Sequence, residues 1–126
     1  MKKIIATKNA PGAVGPYSQG TIAGNLVFVS GQLGLDPVTG EMKGSFQEQT
    51  TQSLVNLKAI LEEAGSSLTN VVKTTVFLKD MSNFAALNEI YQQFFNESYP
   101  SRSAIEISQL PKQGLVEIEA IAILSK

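Results

Sequence analysis

The chain has 126 residues, enough for one domain with a single core, and its ten basic and eleven acidic residues give a net charge of −1. Cys, His and Trp are all absent from the sequence. This composition excludes a Ser–His–Asp triad, a thiol nucleophile, a disulfide framework and an ordinary zinc site. The balanced charge argues against a nucleic-acid partner, because such proteins usually present a basic face to the phosphates.

The N-terminus and the hydropathy of the chain bear on its location. The first eight residues carry three lysines but lack the apolar stretch of about 7–15 residues that a signal peptide needs. No segment approaches the roughly 18 apolar residues that cross a bilayer. The sequence therefore predicts a cytoplasmic protein with no membrane contact, folded as one domain over residues 1–126.

The first thirty residues predict strands separated by turns. Residues 3–7 have the composition of a short strand, and residues 10–17 form a loop because they contain two Pro and two Gly. Residues 19–22 and 26–30 flank Ala23-Gly24-Asn25 and predict a hairpin.

The first helix is predicted by its two ends as well as by its periodicity. Ser45-Phe46-Gln47-Glu48 has the form of a capping box, in which the hydroxyl and the carboxylate satisfy backbone N–H groups at the helix start. Gly65 suits the position just after a helix end. Between them, apolar residues recur at helical spacing: Phe46, Leu54, Leu57, Leu61 and Ala64.

The second half of the chain predicts a strand, a helix and two more strands. Residues 71–79 are rich in β-branched residues, and residues 103–108 and 115–124 form the last two strands. Asp80 or Ser82 can cap the second helix. The apolar stripe of this helix consists of Phe84, Leu87, Tyr91, Phe94 and Phe95.

The element order β-ββ-α-β-α-ββ predicts an α+β domain with two helices on one face of a six-stranded mixed sheet. Two helices, each about 10 Å across, cannot cover both faces of a sheet about 29 Å wide. Residues 76–78 and 120–124 are nevertheless apolar on both alternating faces, as in strands that are buried on both sides. We therefore expect another copy of the chain to cover the second face, giving a homo-oligomer with pockets between its subunits.

Arg102 is the only arginine beside nine lysines, and it lies in Pro100-Ser101-Arg102-Ser103, where a loop enters a strand. Guanidinium presents a planar fork that binds a carboxylate through two parallel hydrogen bonds, which an ammonium group cannot do. This choice of residue indicates an anion-binding site. The alternative is a structural arginine paired with a neighbouring glutamate.

Glu117 and Glu119 lie two residues apart in a predicted strand, so their carboxylates share one face at about 7 Å. Leu115, Ile121 and Ile123 lie on the same face and can bury the two acids in part. Burial raises the pKa of a carboxylate and suits it to general acid–base work. The alternative is a solvated strand end, or a structural partner for the arginine or a lysine.

Three further residues are weaker candidates for a small-molecule site. Tyr17 lies in the Gly/Pro loop and can place a phenol over a ligand, although a loop tyrosine more often packs as a lid. Gly31, within Ser30-Gly31-Gln32, allows a ligand to approach the backbone, although strand glycines also mark bulges. Asn88 lies on the second helix, where a solvated or capping amide is the alternative. No spacing in the sequence is typical of a metal site.

The sequence resembles the Rid (YjgF) family, and most closely its reactive intermediate deaminase A branch. The resemblance covers the whole chain, and its most specific element is the distance between its last two blocks. The matching blocks are Gly15-Pro16-Tyr17-Ser18-Gln19, Ser30-Gly31-Gln32, Lys73-Thr74-Thr75-Val76-Phe77, Asn88 followed by Phe94-Phe95, Pro100-Ser101-Arg102-Ser103 and Val116-Glu117-Ile118-Glu119.

The resemblance implies a chorismate-mutase-like α+β fold and a homotrimer with three clefts between neighbouring subunits. It also implies hydrolysis of enamines and imines, such as 2-aminoacrylate and 2-aminocrotonate and their imines, to 2-oxo acids and ammonia. Pyridoxal-phosphate-dependent serine and threonine dehydratases release such intermediates, and no cofactor is expected in the deaminase itself.

The resemblance also implies roles for individual residues. Arg102 would bind the substrate carboxylate, Glu117 would orient or deprotonate the attacking water, and Glu119 would support the strand or a subunit contact. Many family members carry a cysteine where this chain has Ala104, but neither of the first two roles requires a thiol. The substrate-binding residues that the resemblance implies besides the arginine are Tyr17, Ser30, Gly31, Asn88 and Ala104.

The sequence leaves two other functions open. A non-catalytic module could bind a 2-oxo acid or an amino acid in the same cleft and regulate a protein partner, which would require Arg102 but not Glu117. Endoribonuclease activity is attributed to some relatives, but the near-zero net charge and the absence of histidine argue against it here.

Overall fold

Two α-helices pack on one face of a six-stranded mixed sheet in a computed structural model that describes residues 1–125. The strands are β1 (Lys3–Ile5), β2 (Gly20–Ala23), β3 (Leu26–Leu33), β4 (Val71–Leu78), β5 (Ser101–Glu106) and β6 (Val116–Ile123), and the helices are α1 (Phe46–Glu63) and α2 (Phe84–Phe94). Across the sheet the strands follow the order β1-β2-β3-β6-β4-β5. Only the β4–β5 pair is parallel among these described strands, so the predicted fold class is confirmed.

Several strand boundaries differ from the sequence prediction, by three residues at the end of β3, which reaches Leu33 rather than residue 30, and by one or two residues elsewhere. β1 ends at Ile5 rather than at residue 7. β5 begins at Ser101 rather than at residue 103, because its parallel pairing with β4 already starts with Lys73 opposite Ser101. Arg102 is therefore a strand residue, and the strand fixes the direction in which its side chain leaves the backbone.

Both predicted ends of α1 are confirmed. The Ser45 hydroxyl accepts a hydrogen bond from the Glu48 backbone N–H at 3.1 Å, and the Glu48 carboxylate accepts one from the Ser45 N–H at 3.0 Å. Gly65 follows the helix with a φ of +88°, which a residue with a side chain rarely adopts. Between these ends the helix packs Leu54, Leu57, Ile60 and Leu61 into the core, each fully buried.

The second helix begins later than the caps in the sequence predict. The Asp80 carboxylate accepts a hydrogen bond from the Ser82 N–H at 2.9 Å, which caps a short 3₁₀ turn over Met81–Asn83, and α2 starts at Phe84. Its buried residues include Ile90, which the predicted stripe left out. Within residues 1–125 no helix combines the length and the apolar character that crossing a membrane requires.

The sheet has one covered and one open face, which the alternation along β6 makes clear. Its even-numbered residues, from Val116 to Ala122, are buried beneath the helices. Its odd-numbered residues point the other way, and Ile123 remains 38% exposed beside the equally exposed Phe28 of β3. Large apolar side chains therefore stand on the open face, as the sequence predicted; the homo-oligomer that would cover them stays a prediction.

Candidate functional site

The regular pairing of β3 with β6 is interrupted near Gly31. Val29 pairs with Ala120, and Gln32 pairs with Ile118. The two intervening residues therefore oppose a single residue of β6, which makes a β-bulge. Bulges bend a strand locally and change the direction of its side chains, so this one sets the shape of the surface beside β6.

Glu117 lies directly against this bulge, on the open face of the sheet. A Cβ atom built on Gly31 would lie 2.7 Å from the Glu117 Cδ atom, so the carboxyl group fills the space that a side chain there would need. Burial raises the pKa of the half-buried Glu117 carboxyl, and the Glu119 carboxylate on the same face raises it further. A carboxyl in this condition is suited to taking up and returning a proton.

A cavity of about 540 Å³ opens above Glu117, and we call it the glutamate pocket. Tyr17, which is half-exposed, contributes its ring to this pocket from the loop before β2. The other side chains and backbone that shape it include Gly31, Gln32, Val38 and Lys112. Three residues predicted to belong to one site, Tyr17, Gly31 and Glu117, are therefore brought together.

Arg102 leaves β5 on the other side of the sheet, where it lies over α2. Its Cζ atom is 4.8 Å from the centroid of the Tyr91 ring and 5.4 Å from that of Phe84. Within residues 1–125 no carboxylate forms an ion pair with it. The structural pairing with a glutamate, which the sequence left open, is therefore absent from the described chain. Its N–H edge is available to an anion.

A second cavity, of about 430 Å³, surrounds this guanidinium, and we call it the arginine pocket. Asn88 reaches it from α2, since it lies four residues after Phe84 and three before Tyr91 on one face of the helix. Tyr99, Pro100 and Gln92 complete its walls. The pocket thus offers one cation and two amides in a setting of aromatic rings.

Comparison with known proteins covers nearly the entire chain. Residues 7–124 match the family described as Endoribonuclease L-PSP, the family that contains the YjgF and Rid proteins. This chain belongs to the Rid (YjgF) family. The Rid chain is 57% identical to a RutC family protein of Pyrococcus horikoshii over 123 residues, which cover 97% of this chain and 98% of that protein.

Two further relatives carry more informative names. The Rid chain is 47% identical over 124 residues to the 2-iminobutanoate/2-iminopropanoate deaminase of Bos taurus, covering 98% of this chain and 90% of that enzyme. It also superposes on the crystal structure of Escherichia coli TdcF with bound serine, with a TM-score of 0.94 and 49% identity, covering 98% and 99% of the two chains.

Within one Rid chain, however, the two pockets lie on opposite faces of the sheet. Arg102 pairs with Thr74, which is buried beneath the helices, whereas Glu117 pairs with Phe77 on the open face. β4 also separates β5 from β6. The structure therefore brings Arg102 together with Asn88, but not with Glu117.

Two residues that the resemblance assigned to the substrate lie in neither pocket of this Rid chain. Ser30 donates its hydroxyl hydrogen to the Ser18 carbonyl at 2.6 Å and lines a shallow hollow beside Glu119. Ala104 lies two residues beyond Arg102 on the same face of β5 and packs against the core. Their roles toward a substrate stay predictions.

The sequence reasoning missed the aromatic partners of Arg102. Phe84 and Tyr91 entered the prediction only as members of an apolar stripe, because their spacing of seven residues is typical of a helix face that packs on a core. A signal was nevertheless present, since Asn88 interrupts that face midway between the two rings. A polar residue in this position marks a surface that is not fully enclosed.

Proposed function

We propose that this protein hydrolyses reactive enamines and imines, such as 2-aminoacrylate and 2-aminocrotonate and their imines, to 2-oxo acids and ammonia. The observation that carries the proposal is an arginine with no acidic partner in residues 1–125, in a chain that also holds a half-buried Glu117 whose pKa is raised. A free guanidinium suits the carboxylate that all these substrates share, and the carboxyl suits the water that attacks them. The name of the Bos taurus relative supports the same reaction.

The proposed reaction needs only orientation and proton transfer. The enamine first tautomerises to the imine, and Arg102 holds the substrate carboxylate through its N–H edge. Glu117 then accepts a proton from water as the oxygen bonds to the carbon of the protonated imine, which gives a neutral tetrahedral carbinolamine. Glu117 returns that proton to nitrogen, the C–N bond breaks to release ammonia, and the carboxylate takes the hydroxyl proton as the C=O bond forms. Positioning of this kind is a large contribution to the rate when the substrate is already reactive in water.

We also propose that the complete site forms between two copies of the chain in a homotrimer. Arg102 and Glu117 lie on opposite faces of one sheet, so neither pocket of a single chain contains both groups. If the open face meets a neighbouring subunit, its exposed apolar residues are covered and the glutamate pocket lies at the subunit interface. In this arrangement Tyr17, Ser30 and Gly31 belong to one wall, and Asn88 and Ala104 to the other.

The test is release of 2-oxo acid from an enamine generated by a serine or threonine dehydratase. Arg102→Ala should remove most activity by deleting the carboxylate site, and Glu117→Ala should lower kcat while the substrate still binds. Lys58→Ala and Glu62→Ala, on the exposed side of α1, are matched charge controls and should leave the rate unchanged. Near-full turnover by Arg102→Ala would overturn the proposal.

A second candidate function is a non-catalytic module that binds an amino acid or a 2-oxo acid. The serine bound to the Escherichia coli TdcF relative favours it, because serine carries the same carboxylate beside nitrogen. This function requires Arg102 but not Glu117. Calorimetric binding of pyruvate with no acceleration of imine hydrolysis would select it over the deaminase. Endoribonuclease activity, which the family description names, gains no support from a net charge of −1 and a sequence without histidine.

A further inference from the structure

The guanidinium of Arg102 rests on two aromatic rings instead of an acidic partner. The rings of Phe84 and Tyr91 lie 5.4 Å and 4.8 Å from its Cζ atom, within the range in which a cation is attracted to a ring face. Seven residues separate them on α2, so they stand on one side of the helix about two turns apart. We call these two rings the aromatic seat.

The Tyr91 ring is itself held in place from two sides. Its hydroxyl forms a buried hydrogen bond with the Thr74 hydroxyl at 2.7 Å, and its ring packs against Phe95 with the centroids 4.6 Å apart. Thr74 is fully buried and lies directly opposite Arg102 in the β4–β5 pair. Thr74 therefore contacts both parts of the arrangement: it pairs with Arg102 in the sheet, and its hydroxyl binds the Tyr91 hydroxyl.

The aromatic seat orients the arginine without using its hydrogen-bond donors. A carboxylate partner would occupy the N–H edge and neutralise the charge, whereas a ring contacts the flat face and leaves the edge free. Burial raises the pKa of the Tyr91 phenol, which keeps the ring neutral. The arrangement preserves the full positive charge for a ligand while restricting the rotation of a long side chain.

We propose that Tyr91 and Phe84 are positioning residues for the substrate carboxylate, acting through Arg102. The inference rests on the proposed function, since it assigns the seat to the same arginine that binds the carboxylate there. The rings hold the guanidinium plane in the orientation in which its N–H edge donates two parallel hydrogen bonds to a carboxylate. Removing a ring lets the side chain rotate, so ligand affinity falls while the step at Glu117 is unaffected.

The experiment measures KM and kcat for the dehydratase-generated enamine, together with calorimetric binding of pyruvate. Tyr91→Leu should weaken pyruvate binding and raise KM by about 10- to 30-fold, and Phe84→Leu, at the more exposed ring, by about 3-fold, with kcat within 2-fold of wild type. Tyr91→Phe keeps the ring and should retain KM within about 3-fold, although it loses the bond to Thr74. Ile90→Ala, a buried residue of α2 outside the seat, controls for general loss of stability.

A double-mutant cycle tests whether the rings act through the arginine. In an Arg102→Lys background the effect of Tyr91→Leu on pyruvate binding should shrink to less than 3-fold, because a lysine gains less from the seat. If Tyr91→Leu and Phe84→Leu bind pyruvate as wild type does while Arg102→Ala abolishes binding, the seat is rejected and the proposed function stands. If Arg102→Ala itself binds pyruvate normally, both proposals fail.

Discussion

The Glu117 carboxyl carbon lies 2.7 Å from the point where a Cβ atom of residue 31 would stand, and the three atoms nearest to that point all belong to Glu117. No backbone atom obstructs the same space as closely. A side chain at position 31 would thus displace the acid without forcing the strands apart. The bulge at Gly31 in β3 therefore leaves the space that the carboxyl group of the proposed base occupies.

We expect Gly31→Ala to lower kcat/KM by about 10- to 100-fold with little change in melting temperature, because misplacement of a catalytic group by about 1 Å has this effect. Gly44→Ala is the matched control, since its Cβ atom would meet only the Glu48 carboxylate at 3.5 Å. Steady-state kinetics and thermal melting of both variants check the prediction. Unchanged kinetics in Gly31→Ala would show that the carboxyl does not act from its present position.

The pH dependence of the reaction should report the pair formed by Glu117 and Glu119. The Glu119 carboxylate helps to raise the pKa of Glu117, so Glu119→Gln should lower that pKa. The proposed base must be ionised, and activity is lost as the pH falls through its pKa. The acid limb of the kcat/KM profile should therefore move to lower pH in Glu119→Gln. An unmoved acid limb would mean that another group controls it.

Ionisation of Glu117 should also lower the free energy of unfolding of the protein. Its pKa is raised in the folded state, so the stability linked to this group is fully present below about 4.5, its ordinary value, and is lost as the pH rises through the raised pKa. Glu117→Gln should consequently melt at a higher temperature than wild type at pH 8, with the difference shrinking as the pH approaches 4.5. Equal melting temperatures across that range would argue that the carboxyl is well solvated.

A mixing experiment tests the assembly of the site across subunits. If each cleft takes Arg102 from one chain and Glu117 from its neighbour, Arg102→Ala and Glu117→Ala chains that are co-expressed in equal amounts should form about a quarter of their clefts with both groups intact. Activity should recover to about that fraction, measured against the two variants purified separately. Absence of any recovery in proven mixed oligomers would contradict a site that takes one group from each of two subunits.

Local patterns in the sequence predicted the elements of the fold well. The capping box at Ser45 and the glycine at position 65 concern contacts within a few residues, so they could be recognised directly. The start of β5 could not, because it is set by parallel pairing with β4, which lies far away in the sequence. Ile90 was missed for a related reason: its burial depends on how α2 sits on the sheet.

The candidate site was predictable in its chemistry but not in its arrangement. Residue type alone singled out Arg102, and strand alternation alone put Glu117 and Glu119 on one face. The placement of arginine and glutamate on opposite faces follows from the strand order β6-β4-β5 and from the register of β5. Both depend on long-range pairing that no single segment encodes.

Because the open face of the sheet must meet a second subunit to complete the site, the proposed reaction should require a minimum protein concentration. On the arrangement proposed above, a newly synthesised chain is inert until it meets its neighbours, because neither of its pockets can complete a turnover alone. Dilution below the dissociation constant of the assembly would then abolish the activity. At low protein concentration, the total rate of imine hydrolysis would then increase more steeply than the concentration of the protein.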